Sequence, residues 1–413
     1  MCTMYIWVLI CYYMELEEII QSGNEERAQL METKKKKKQS WKQWIAVGFC
    51  GLIGACCGIL MVKYIDLGGE NGKSLGEQLF SLAIPFVVMY VAMFAHLVIH
   101  EAGHLVFGLA TGYRFCSFRI GSFMWMKKNG KICLKRLSLA GTGGQCLMAP
   151  PEYKDGKIPV GLYNMGGSLF NVFAAILCLL LYLSGKGENL FSVSMFLGAI
   201  VGIVLALMNG LPLRMGVVDN DGYNALSLGK NEKALRSFWI QMKMGEEFAN
   251  GARLKDLPQE WFVCPNQEER KNSMVAALAV FSCNRLMDEH RFEEAYGLMK
   301  ELQNEENGIV GLHRNLLLCD CIYCEAIGEK DLLTIEKWNS QELQNFMKSM
   351  KTYPSILRTQ YVYALLVKKD MAEAAKFMEK FDQCAKSYPY ASEIQGEQEL
   401  MEIARQAAAP QQV

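Results

Sequence analysis

Two imidazoles and a carboxylate stand together in the run His100-Glu101-Ala102-Gly103-His104, an H-E-x-x-H pattern. On a helix, positions i and i+4 share a face, so both rings can reach one metal ion and Glu101 lies beside it. Such a set suits metal-assisted hydrolysis. Two neutral nitrogens hold a zinc ion, and the carboxylate takes a proton from water and passes it to a leaving amine. The whole chain has only five histidines, which makes their gathering here informative. His96 extends the same face to i, i+4 and i+8, a pattern that would also serve a metal or proton transporter. A catalytic zinc further needs a third protein ligand and an open position for water.

The segments that must position these residues are apolar. Of 413 residues, 51% are hydrophobic, and they are unevenly spread: four long apolar stretches precede residue 215, while charge concentrates after it. The expected spans are 44–64, 79–111, 159–184 and 191–213, each near or above the roughly 20 residues that cross a bilayer. The first carries Gly48, Gly51, Gly54 and Gly58, which permit close helix contact. The second exceeds one simple crossing and ends in HEAGH, so its helix is expected to run on into a polar enclosure. Three of its residues are histidines and one a glutamate, an arrangement costly in lipid unless it has a function. The opening fourteen residues are apolar yet too short to span, and no basic region precedes them. Met14 and Met31 are therefore alternatives to Met1 as the true start.

Basic residues in short loops set the expected orientation. Lys34 to Lys38 and Lys42 precede the first span. Between the second and third lie Arg114, Arg119, Lys127, Lys128, Lys131, Lys135, Arg136, Lys154 and Lys157, whereas the other loops hold only Lys73 and Lys186. Both termini are thus expected in the cytoplasm, in a multi-pass protein of the cell membrane. Net charge is zero and no basic face stands out, so nucleic acid is not an expected partner.

Between Tyr113 and Gln145 short alternating runs flank Asn129-Gly130, a hairpin signal. Such a hairpin would offer an edge strand to an extended peptide. Beyond residue 230 apolar residues recur at three- and four-residue spacing, as in soluble helices. The stretch from Tyr361 to Pro389 reads as a helix pair turning at Lys369-Asp370. It is tetratricopeptide-like, although no clean period of about 34 residues repeats, and a generic bundle fits equally. This domain is a candidate docking module for a protein partner. The fifteen cysteines do not form a disulfide framework; Cys319, Cys321 and Cys324 read as buried helical thiols rather than a metal site.

Several motifs in order resemble the site-2 protease family of intramembrane zinc metalloproteases. HEAGH is followed by Asn209-Gly210-Leu211-Pro212 at the end of a later span and then by Asp221-Gly222, similar to the family's Asn-x-x-Pro and Asp-Gly. Gly167-Ser168-Leu169-Phe170-Asn171 is similar to its Gly-Pro-x-x-Asn, with Ser168 in place of proline. Gly141-Thr142-Gly143 stands where members carry a membrane-entering Gly-x-Gly loop. The resemblance covers about residues 80 to 230. It implies a polytopic helical membrane fold with a short hairpin or re-entrant region, and one zinc ion held by His100, His104 and Asp221. It further implies Glu101 as the catalytic base, and Asn209, Gly141 and Gly143 at the substrate. The segment before Asp221 is lengthened and brings a second acid, Asp219; the Asp-Gly match favours Asp221, although both acids could instead cap a helix starting near Tyr223.

The expected organisation is therefore an N-terminal cytoplasmic segment (1–43), a membrane metalloprotease core (44–230) and a C-terminal helical domain (231–413). The expected function is hydrolysis of a peptide bond in or near a transmembrane segment of a membrane-anchored regulator or precursor peptide. A catalytically silent relative that binds membrane peptides, and a transporter using the His96/His100/His104 face, are the alternatives.

Overall fold

The computed structural model describes residues 75–128, 130–138, 143–185, 190–212 and 220–409. The expected span 44–64, the N-terminal segment, Gly141 and Asp219 lie outside the described residues. The described chain is mostly helical, with one small antiparallel sheet. The described residues divide into two compact units, 75–103 with 143 and 167–210, and 104–138 with 144–166 and those after 210.

Among the described residues, three helices are long and apolar enough to cross a membrane. Helix α1 runs from Leu75 to Ala110, with Phe86–Ala110 as its span-length part; α2 is Gly161–Ser184 and α3 is Leu190–Gly210. Their outward residues, such as Phe86, Tyr90, Phe94, Leu177, Leu180 and Leu183, are exposed and apolar. Large apolar side chains in such number along helices have no reason to face water. Glycines set the packing within the first unit. A Cβ on Gly202 of α3 would collide with the His96 ring, and one on Gly167 of α2 would collide with the His100 ring.

Helix α1 stops where its sequence demands. Gly112 adopts φ +89°, and the Tyr113 amide reaches back to the Gly108 carbonyl at 2.9 Å, a Schellman-type end that only glycine closes cheaply. The chain then forms β1 (Arg114–Ile120), β2 (Phe123–Lys128), β3 (Lys131–Arg136) and β4 (Gly144–Ala149), in sheet order β3-β2-β1-β4. Lys128 pairs with Lys131 across the expected turn, with Gly130 at φ +78°. Two further strands go beyond the single hairpin read from sequence. Gly121, at φ +57°, folds the run Phe115–Met126 back on itself, so that Ile120 pairs with Phe123. β4 then pairs with β1 across a register irregularity between Phe115 and Ser117.

Alternation along β2 sends Met124 and Met126 into the same core as the C-terminal helices, while Phe123 and Trp125 stay exposed. The sheet accordingly groups with the C-terminal helices. After the short helix α4 (Asp221–Ser227) come α5 (Glu232–Asn250), α6 (Ser273–Asp288), α7 (Phe292–Asn304), α8 (Gly311–Ile327), α9 (Leu332–Trp338), α10 (Gln341–Ser349), α11 (Pro354–Val362), α12 (Met371–Ser387) and α13 (Ala391–Ala408). α11 continues as a π-helical stretch, Tyr363–Lys368, and turns at Lys369 (φ +57°) with Asp370 capping α12. The thiols of Cys319, Cys321 and Cys324 are free and buried on α8; burial pushes Cys324 up to about 12.

Candidate metal centre

The uninterrupted α1 supplies His100, Glu101 and His104, exposed by only 3%, 3% and 8%. One helical turn separates the two imidazoles and places them on one face. The third candidate comes from α4. Asn220, not an aspartate, caps this helix: its Oδ1 accepts the Tyr223 amide at 2.9 Å, and its side-chain amide donates to the Leu211 carbonyl. Asp221 then occupies the first helical position. Its Oδ2 lies 3.4 Å from His104 Nε2. His100, His104 and Asp221 each offer one ligand atom, all within 4.8 Å of one another.

His104 and Asp221 are spaced as ligands of one small divalent metal ion. With metal–donor bonds of about 2.0–2.1 Å, a tetrahedral site separates its ligand atoms by about 3.3 Å, close to the His104–Asp221 distance. The tautomer fits as well. His104 Nδ1 donates to the Tyr163 carbonyl at 2.8 Å, so in the neutral ring the Nε2 lone pair points toward the Asp221 carboxylate. Two electron-rich atoms held that close call for a cation between them, a proton or a metal, and His100 adds the third donor a metal requires. The Nδ1–H to carbonyl bond is the usual support of a metal-binding imidazole.

Tyr163 was not singled out in the sequence. Besides accepting from His104, it stacks on Tyr113 with ring centroids 4.6 Å apart, and its hydroxyl donates to the Cys146 carbonyl at 3.1 Å. One residue thus ties α2, β4 and the end of α1 to the ligand ring. No spacing pattern announces it, because the contact that matters uses its backbone oxygen.

Asn171, fully buried on α2, stands between two rings. Its amide faces His96 Nδ1 at 3.1 Å and His100 Nδ1 at 3.3 Å. One amide has one acceptor and one donor end, so the two imidazoles must present opposite characters at Nδ1. As placed, the oxygen faces His96 and the NH2 faces His100; the amide turned over would leave the His100 proton on Nδ1 and present its Nε2 to a metal.

The remaining sequence candidates are placed as follows. Asn209 is buried near the end of α3, and its amide donates to the Leu205 carbonyl at 2.9 Å. Gly143 is buried, and a Cβ there would press on Leu97. Comparison with protein-family models, curated proteins and solved structures finds no match for this chain.

Proposed function

We propose that this chain is a multi-pass membrane metalloprotease of the site-2 type, hydrolysing a peptide bond in or near a transmembrane segment of a membrane-anchored protein or precursor peptide. The observation that carries this reading is the gathering of His100, His104 and Asp221 within 4.8 Å, on and beside a helix long and apolar enough to lie in a bilayer. A zinc ion held there would supply electrophilic activation of a peptide carbonyl and of water.

The other tasks fall to the chain's own residues. Glu101 accepts a proton from the attacking water and delivers it to the departing nitrogen. The Tyr163 carbonyl fixes His104 in the tautomer that ligation through Nε2 requires. β3, an edge of the sheet, and the segment around Gly143 offer an extended peptide a place to lie, since a substrate helix hides its carbonyls until it is unwound. In this reading both termini face the cytoplasm and the C-terminal helices dock substrates or partners.

The test is a paired measurement of zinc content and cleavage of a model transmembrane substrate. Wild-type protein should bind one zinc and cleave, while Glu101→Gln should keep zinc and lose cleavage by about 10²–10⁴-fold. Undiminished cleavage by Glu101→Gln would sink the assignment. A metal or proton carrier remains the second reading, favoured by the continuous link His96–Asn171–His100. Ion uptake by vesicles that show no peptide cleavage would select it.

A further inference from the structure

The C-terminal helices enclose a cavity of about 220 Å³, walled by α6, α8, α11 and α13 and by the end of α5, and unused by the chemistry above. Two arginines line it, each held by two carboxylates: Arg253 by Asp288 and Glu399, Arg358 by Asp320 and Glu397. Each cluster therefore carries one negative charge in excess. Glu393, one turn before Glu397 on α13, adds another carboxylate, and its hydrogen-bond partner is the Tyr388 hydroxyl at 2.7 Å, not a cation. Burial pushes Glu393 up to about 7 and raises Glu397 as well, despite the neighbouring Arg358. Both carboxyls thus lack part of the compensation that water or a cation would give.

Two further groups lining the cavity have unmet bonding capacity. Arg358 Nη1 and Ser392 Oγ are buried without a hydrogen-bond partner, and both residues are at least nine-tenths buried. Since Arg358 already meets two carboxylates, its remaining N–H suits a neutral acceptor such as a carbonyl. Phe248, Phe281 and Tyr353 add aromatic surface of the kind that receives cations.

We propose that this cavity binds a basic side chain presented by a peptide, with the guanidinium or ammonium group compensated by Glu393 and its acidic neighbours and a peptide carbonyl meeting Arg358. The volume falls below the roughly 300–1,000 Å³ of drug-sized sites and matches one inserted side chain. The site lies wholly in the C-terminal helices and does not depend on the metal reading.

Isothermal titration of the full-length chain in detergent tests it, with N-acetyl-Gly-Arg-Gly-amide as the probe. The citrulline counterpart, the same shape without charge, should bind at least about tenfold more weakly. Agmatine, which keeps the guanidinium but has no carbonyl, should also bind more weakly than the arginine peptide. Glu393→Gln, with its fold checked by circular dichroism, should weaken the arginine peptide about tenfold and bring it close to the citrulline one. Absent saturable binding, equal affinities for arginine and citrulline, or an unchanged affinity in folded Glu393→Gln would overturn the cation site. Agmatine binding as tightly as the peptide would overturn the peptide as its source.

Discussion

Buried polar groups are handled in two ways in this molecule. In the C-terminal helices the buried arginines are each held by carboxylates: Arg270 meets Glu301 and Glu305, and Arg358, exposed by 1%, meets Asp320 and Glu397. Around α1 the partners are different. Asp221 lies against an imidazole, and two imidazoles share one amide. A guanidinium cancels charge at any working pH and lends itself to architecture. An imidazole can be neutral, protonated or metal-bound, so the same burial leaves the group available for chemistry.

This contrast can be broken most severely at the ligands. Asp221→Ala or His104→Ala should abolish stoichiometric zinc and all cleavage, because two remaining donors do not complete a site. Asp219→Ala should retain both. Zinc analysis of the variants side by side decides, and the reverse result for the two aspartates would reassign the third ligand.

On the architectural side, Arg358→Met should destabilise the C-terminal helices by about 3–5 kcal/mol, since it leaves Asp320 and Glu397 buried without their cation. Thermal unfolding followed by circular dichroism would show it. Zinc content should stay at the wild-type level, and its loss would mean that the two regions are not handled separately.

A smaller effect is expected at Asn171. Replacing it with Leu should lower zinc affinity about 10–100-fold, the usual loss when the support of a ligating imidazole is removed. Asn171→Asp, which has only acceptors to offer both rings, should recover part of it if the amide oxygen is what supports His100. Competition with a chelator measures both.

The smallest effect concerns pH. Glu393 titrates near 7 in the folded chain against an ordinary 4.5. The folded state therefore binds more protons than the unfolded one between those values, so Glu393 makes stability fall as pH rises from about 4.5 to 7. Glu393→Gln should flatten that part of the melting profile relative to wild type; an identical slope would remove Glu393 from the account.

Much of the site could be read from residue spacing, because its logic is local. HEAGH requires only that α1 be helical, whereas Asp221 came from the resemblance of Asp221-Gly222 to a family motif and not from spacing. The helix pair turning at Lys369-Asp370 was also visible, since a turn interrupts a clear period. What escaped was set by distance in sequence or by backbone atoms. Tyr163 acts through its carbonyl on a ring 59 positions away. Asn220 takes the cap because it can also reach Leu211, which neither neighbouring acid announces. The turn at Gly121 sits inside an apolar run that reads as one strand until β4 supplies a second partner for β1. The arginine clusters join α8 and α11 to α13, or the loop before α6 to α13, and periodicity within one helix says nothing of such pairs.

Helix α1 is also a ruler. Its 36 residues measure about 54 Å at 1.5 Å each, against a hydrocarbon layer of about 30 Å. In the membrane setting proposed here, a thicker or thinner bilayer would tilt or slide this rod. His100 and His104 would travel together with their separation unchanged, whereas Asp221 rides on a different helix and is free of that constraint.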